Sequence, residues 1–229
     1  DGNYTIRMTA QATGKTTTTT EAVPMDIVLV LDQSGSMKDK FDNDTRQSAM
    51  KEAVISFIDE VADKNADHRM AIVTFSDDAK TLAGWTAVNS TGAAALTNAI
   101  SNLPENPSGA TNVGEGMETA RTLMNNSEAG AGRLKTVIVF TDGVPTKQSD
   151  FNTTVANNAI SAAKDMKDDD VTIYTVGIFN GADPNQLHGD KWNYAAYSDV
   201  SCNGEPGSYW GGSWVADLFG SNDFEPIDV

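Results

Sequence analysis

Three oxygen-bearing side chains, Asp32, Ser34 and Ser36, stand on alternate residues where an apolar segment ends. The segment itself, residues 25–31, is rich in Val, Leu and Ile, which is typical of a parallel strand covered by helices on both faces. In a turn at the carboxyl end of such a strand, the three side chains can converge. Because a carboxylate and neutral hydroxyls suit a hard cation such as Mg²⁺, we predict that this strand ends in a metal site.

A second strand with the same kind of ending occurs later in the chain. Residues 136–141 are largely apolar and are followed by Asp142 and Gly143. Thr111 follows a loop dense in turn-forming residues and precedes a predicted helix, so its hydroxyl is expected near a helix amino terminus. Two strands that end alike suggest one shared site.

The spacing of apolar residues predicts the elements that position these side chains. Helical spacing predicts helices over 46–64, around 96–103, from just after Thr111 to about 124, and over 155–166. Buried strands are predicted over 70–75, 136–141 and 171–179, with a short edge strand over 80–86. This alternation indicates a doubly wound α/β fold, in which helices flank a mainly parallel central sheet with one antiparallel edge strand. Such folds bind ligands beyond the carboxyl ends of their strands.

The combination of Asp32-Gln33-Ser34-Gly35-Ser36, Thr111 and Thr141-Asp142-Gly143 resembles the metal-ion-dependent adhesion site of von Willebrand factor A domains. All five motif positions are present, and the order and spacing of elements extend the resemblance over roughly residues 24–219. The resemblance implies a Rossmann-like fold in which the hydroxyls of Ser34, Ser36 and Thr111 bind the metal. It also implies that Asp32 and Asp142 bind the metal directly or through water. The expected cation is Mg²⁺, with Mn²⁺ or Ca²⁺ as alternatives.

Two carboxylates among neutral hydroxyls leave a bound cation electrophilic and able to accept an acidic group. The resemblance therefore implies a non-enzymatic domain that captures an acidic residue of a protein or extracellular-matrix ligand. The chain resembles the domains of Gram-positive pilus-tip and cell-wall adhesins more than it resembles intracellular members of the family, so we expect an extracellular, cell-surface protein. The alternative is an intracellular subunit that assembles with an ATPase or chelatase complex. Hydrolysis at the metal ranks third, because no motif places a general base.

Composition argues against several other classes of function. The 16 basic and 32 acidic residues give a formal net charge of −16, which repels phosphate backbones and anionic lipid. We therefore expect no nucleic-acid partner, and no apolar run is long enough for direct membrane insertion. Cys202 is the one cysteine, so neither an intrachain disulfide nor a cysteine zinc cluster can form.

Single residues of the candidate site also fit plainer interpretations. The serines and Asp142 suit turns, and Thr111 suits a helix cap. Five such residues at the expected places together favour the metal site. His68 and His188 are expected on the surface or in loops. Asp77 and Asp78 follow the second strand at the same edge of the sheet; they are not expected to bind the metal directly, and a supporting role or a calcium position next to the site is left open.

The chain is predicted to contain one main domain with two extensions. Residues 1–23 are expected to form a strand and a Thr-rich linker, residues 24–220 the domain, and residues 221–229 a link to a possible next domain. The aromatic-rich loop over 202–212 has no assigned role. This organisation favours a module cut from a larger surface protein.

Overall fold

The computed structural model describes residues 23–64, 66–127, 132–147 and 150–178. Its central sheet contains five strands: β1 (Met25–Asp32), β4 (Arg69–Phe75), β5 (Ala79–Ala87), β6 (Leu134–Thr141) and β9 (Val171–Gly177). Two small hairpins flank it, formed by β2 (Lys40–Phe41) with β3 (Asp44–Thr45) and by β7 (Thr146–Lys147) with β8 (Asp150–Phe151). The helices are α1 (Arg46–Asp63), α2 (Ser90–Ser101), α3 (Val113–Asn125) and α4 (Thr153–Asp168), with a 3-10 helix over Gly35–Lys38.

The strand order β5-β4-β1-β6-β9 confirms the predicted α/β fold. The pairs β1–β4, β1–β6 and β6–β9 are parallel, and β5 lies antiparallel to β4 at one edge. The chain first builds outward from β1 through β4 to β5 and then crosses to β6 on the other side. The strand order therefore reverses between β1 and β6, and a crevice at such a reversal is where open α/β sheets bind ligands.

Strand β1 is buried on both faces, as its continuous apolar sequence predicts. Val28 and Val30 point into the layer that contains α3 and α4, whereas Leu29 and Leu31 point into the layer that contains α1 and α2. The central strand therefore belongs to both cores, which fixes the position of its carboxyl end.

The helix bounds differ from the predicted ones mainly at their beginnings. Helix α2 begins at Ser90, well before its apolar stripe, because Asn89 Oδ1 accepts hydrogen bonds from the N–H groups of Thr91 and Gly92 at 3.1 and 3.0 Å. Asn152 caps α4 in the same way, by accepting from Val155 N–H at 3.1 Å. The spacing of apolar residues does not reveal a polar cap, so both helices begin earlier in the chain than predicted.

Of the two settings predicted for His68, surface or loop, the loop is correct and the surface is not. His68 lies in the loop before β4, but only 5% of it is exposed, and its carbonyl accepts from Val88 N–H at 2.8 Å. The loop is packed against the end of β5, and this buries the imidazole.

Several predictions fall outside the described residues. They concern the strand and Thr-rich linker of residues 1–22, the aromatic loop of residues 202–212, and the two residues His188 and Cys202. The domain bounds at 24 and 220 also stay predictions. In the part of the chain that is described, no helix is both long and apolar enough to cross a membrane.

Candidate metal centre

Asp32, the last residue of β1, is fully buried at the carboxyl edge of the sheet. Its Oδ1 accepts from the Ser34 N–H at 2.7 Å, which closes the turn after the strand. Its Oδ2 accepts from the Thr141 hydroxyl at 2.8 Å. Since Thr141 ends β6, this carboxylate joins the ends of the two strands that flank the crevice.

The two serines continue from this turn toward the end of β6. Ser34 Oγ and Ser36 Oγ lie 3.1 Å apart, and Ser36 Oγ donates to Asp142 Oδ1 at 2.8 Å. Ser36 lies within the 3-10 helix, and Ser34 occupies the position just before it. The short helix thus places the Ser36 hydroxyl against the second carboxylate and beside the Ser34 hydroxyl.

Thr111 approaches the same point from the loop before α3. A Cβ built on Gly143 would lie 3.7 Å from Ser36 Oγ and 3.7 Å from Thr111 Oγ1, so both hydroxyls face this glycine. The Thr111 backbone is held by Thr146, which accepts from its N–H at 2.9 Å and donates to its carbonyl at 3.2 Å. The structure therefore brings the five predicted residues together in one crevice.

The cap of α3 is a neighbour of Thr111. Asn112 Oδ1 accepts from the Glu115 N–H at 3.3 Å, and Asn112 is the residue that precedes the helix. The plainer interpretation of Thr111 as a helix cap is therefore wrong, and its hydroxyl is available to the crevice.

Asp77 positions the loop that carries Thr111. Its Oδ1 accepts from the Ala110 N–H at 2.9 Å, and its carbonyl accepts from Asn112 Nδ2 at 2.9 Å. Gly109 has a φ of +104°, and a Cβ there would lie 2.6 Å from Asp77 Oδ2, so this position requires glycine. The carbonyl of Gly109 in turn accepts from the Gly35 N–H at 3.0 Å. The loop is thereby fixed against the turn after β1.

The carboxylates of Asp32 and Asp142 are buried close together, so a positive charge beside them would stabilise their ionised forms. Burial, together with the negative charge of Asp142, raises the pKa of Asp32 to about 7. Burial also raises the pKa of Asp142, although hydrogen bonds from Ser36 and Arg46 partly offset it. Two buried acids side by side are costly to ionise unless a cation neutralises them.

Arg46 is a member of the site that the sequence interpretation missed. It is the first residue of α1, and its Nη1 donates to Asp142 Oδ2 at 2.6 Å and to the Ser36 carbonyl at 3.4 Å. Its position at the start of a predicted helix could have drawn attention to it, because a cation in the first turn of a helix opposes the helix dipole. An arginine at that position indicates a nearby anion.

The donor set fits a hard divalent cation. Carboxylate and hydroxyl oxygens are the ligands that Mg²⁺, Mn²⁺ and Ca²⁺ accept, and sulfur and imidazole do not contribute. Within the described ranges, no group of three or more His, Cys, Asp or Glu side chains is placed to hold a metal ion. A metal here would therefore depend on the three hydroxyls and on water as well as on the two carboxylates.

Fold and crevice together define a Rossmann-like domain with a polar cleft at the carboxyl edge of its sheet. The family model of the von Willebrand factor type A domain matches residues 26–194. Since this is well over half of the sequence, the chain belongs to the von Willebrand factor type A domain family.

Solved structures share the fold at low sequence identity. BatB from Bacteroides thetaiotaomicron is 18% identical with a TM-score of 0.52, over 67% of this chain and 66% of that one. The PilB minor pilin of Streptococcus sanguinis is 16% identical with a TM-score of 0.57, over 70% and 51%. The pilus adhesin SpaC of Lactobacillus rhamnosus GG is 20% identical with a TM-score of 0.54, over 68% and 24%. At these identities the likeness establishes the fold alone. No curated protein sequence matches the chain significantly.

Proposed function

We propose that this domain binds a protein ligand through a divalent cation, which is held in the crevice between β1 and β6 and accepts an acidic group of the ligand. The observation that carries the proposal is the convergence of two buried carboxylates and three hydroxyls at one point. The metal ligands would be Asp32, Ser34, Ser36, Thr111 and Asp142. Mg²⁺ is the expected ion, with Mn²⁺ or Ca²⁺ as alternatives.

The charge of the site supports capture of an acidic group. Two carboxylates neutralise the two charges of the cation, whereas hydroxyl ligands add no negative charge. With the Arg46 guanidinium beside Asp142, the loaded site keeps a net positive charge. A carboxylate of a partner would complete the shell and gain a charge-assisted contact.

A binding role, rather than catalysis, fits the groups that surround the crevice. Of the described residues, the single histidine is His68, which lies in the loop before β4 at the opposite edge of the sheet. The hydroxyls and carboxylates of the crevice already hydrogen-bond one another. We therefore propose a non-enzymatic domain.

A role at the cell surface is the context we propose, in an adhesin or pilus protein. Two proteins that share the fold, PilB and SpaC, are named as a minor pilin and a pilus adhesin. The match covers about half of the first and a quarter of the second, so a larger parent protein fits this proposal.

Isothermal titration of metal-stripped protein with Mg²⁺, Mn²⁺ and Ca²⁺ tests the metal site. The wild type should bind, and Asp32→Ala should lose most of its affinity because the carboxylate that joins β1 and β6 is gone. Asp59→Ala is the matched control, since Asp59 is an exposed aspartate on α1, outside the crevice. Equal affinity in wild type and Asp32→Ala would exclude the proposed site.

Adhesion is tested by binding to immobilised extracellular-matrix proteins in Mg²⁺ and in EDTA. Binding should require the metal and should be lost in Asp32→Ala. If the domain binds metal but adheres equally in EDTA, the ligand is not captured through the cation. If it instead recovers an ATPase subunit from cell extract in a metal-dependent manner, the intracellular assembly role replaces adhesion.

A further inference from the structure

Arg46 donates a hydrogen bond to one oxygen of Asp142, a carboxylate that is also a proposed metal ligand. Asp142 Oδ1 accepts from Ser36, whereas Oδ2 accepts from Arg46 Nη1 at 2.6 Å. The Asp142 side chain is fully buried, and the Arg46 side chain is 19% exposed. The guanidinium is therefore a fixed positive charge at the edge of the crevice.

The placement of Arg46 is poor for simple stability. The cation stands at the positive end of α1, where the helix dipole disfavours it. Its Nε is buried and has no hydrogen-bond partner among the described residues, which costs further free energy. Asp39 lies 3.7 Å from the same Nη1, but that carboxylate is 58% exposed and contributes little. The contact with Asp142 is what compensates for these costs.

The charges of the crevice show what this contact does. Without a metal, the guanidinium neutralises one of the two buried carboxylates and reduces their mutual repulsion. When a divalent cation enters, the same guanidinium repels it and competes with it for Asp142. The positive side chain thus stabilises the empty site and opposes loading.

We propose that Arg46 is a built-in counter-cation that holds the affinity for the metal below the value the five oxygen ligands would otherwise give, so that binding is readily reversible. This inference rests on the proposed metal site. It assigns Arg46 a positioning and tuning role that does not require contact with the ion.

The test compares Mg²⁺ and Mn²⁺ affinity in four proteins by isothermal titration. Removal of one positive charge beside a doubly charged ion, at partly solvated separation, should tighten binding about tenfold, so Arg46→Gln should bind more strongly than the wild type. Arg46→Lys keeps the charge and should stay within about threefold of the wild type. Arg121→Gln is the matched control, because Arg121 also pairs with two carboxylates, Glu118 and Asp165, but does so on α3 and α4.

Thermal unfolding provides a second measurement, which separates an effect of Arg46 on metal affinity from an effect on the stability of the fold alone. In EDTA, Arg46→Gln should melt below the wild type, and saturating Mg²⁺ should raise its Tm by more than it raises that of the wild type. If Arg46→Gln is unfolded in EDTA, recovery of its fold at a Mg²⁺ concentration too low to raise the Tm of the wild type supports the inference, and recovery only at concentrations that already raise the wild-type Tm overturns it.

Weaker or unchanged metal affinity in a folded Arg46→Gln protein overturns the counter-cation role and leaves the proposed metal site intact. If the wild type binds no metal and Arg46→Gln does, Arg46 opposes loading as inferred, but the proposed metal-dependent function of the wild-type domain is rejected. If neither protein binds, both the inference and the metal site are rejected.

Discussion

The Thr141 hydroxyl donates a hydrogen bond to Asp32 Oδ2 at 2.8 Å, and this bond joins the last residues of two neighbouring parallel strands. Both residues are buried, so the bond is shielded from water. It fixes the orientation of the carboxylate that lies deepest in the crevice. Thr141 is therefore a positioning residue for the proposed metal ligands.

Thr141→Val should weaken Mg²⁺ binding about tenfold, because loss of a hydrogen bond that orients a metal-ligating carboxylate typically costs 10–100-fold in affinity. Thr141→Ser keeps the hydroxyl and should bind close to the wild type. Isothermal titration measures both. Equal affinities in the valine and serine variants would show that Asp32 needs no such orientation.

The loop that carries Thr111 provides a second positioning test. Asp77→Ala removes the acceptor of the Ala110 N–H and should weaken Mg²⁺ binding about tenfold by loosening this loop. Asp78→Ala, at the exposed neighbouring aspartate, loses the same formal charge and should change affinity less than twofold. If the two variants lose affinity equally, the effect of Asp77 is the loss of a negative charge and not the position of the loop.

Stability at low pH should depend on Asp26, at the opposite edge of the sheet. Burial raises the pKa of this carboxyl, but hydrogen bonds from Arg69, Ser127 and Arg133 outweigh it and lower the pKa to about 2. Because this folded-state value lies below the ordinary 3.8, the stabilisation is complete above about pH 4 and is lost as the pH falls toward 2.

Asp26→Asn should lower the free energy of unfolding at pH 7 by about 3 kcal/mol, since it removes the buried negative charge that Arg69 and Arg133 share. The difference between variant and wild type should shrink as the pH falls from 4 to 2. Asp67→Asn is the control, because Asp67 pairs with Arg133 from an exposed position and should cost under about 1 kcal/mol. Urea unfolding at several pH values measures these differences, and a pH-independent difference would contradict the role of the Asp26 charge.

The sequence predicted the sheet and the two crevice carboxylates for one shared reason, whereas Thr111 was added by its place before a helix and by the resemblance to von Willebrand factor A domains. An apolar run such as residues 27–31 must be buried on both faces, and this makes its end a strand end at the sheet edge. Asp32 and Asp142 follow two such runs, so their meeting could be predicted without coordinates. Contacts that depend on long-range packing left no such pattern. Arg46 contacts Asp142, 96 positions further along the chain, and His68 is buried although its loop looks polar in sequence.

A reciprocal amide pair connects the turn after β1 to α1 and supports a further prediction. Gln33 Nε2 donates to Gln47 Oε1 at 3.0 Å, and Gln47 Nε2 donates back to Gln33 Oε1 at 2.8 Å and to the Pro104 carbonyl at 2.8 Å. Both glutamines are buried, so removal of either side chain leaves the amide oxygen of the other without its donor, while its amide nitrogen keeps a backbone acceptor.

Gln33→Leu and Gln47→Leu should each destabilise the domain by about 1–3 kcal/mol, because each leaves a buried amide without its partner. The double variant should cost less than the sum of the two, with a coupling of at least about 1 kcal/mol, since no amide of the pair is then left unpaired. Urea unfolding of the four proteins completes the double-mutant cycle. Strictly additive losses would mean that the two amides stabilise the turn independently, through Asp32 O and Pro104 O, and not through each other.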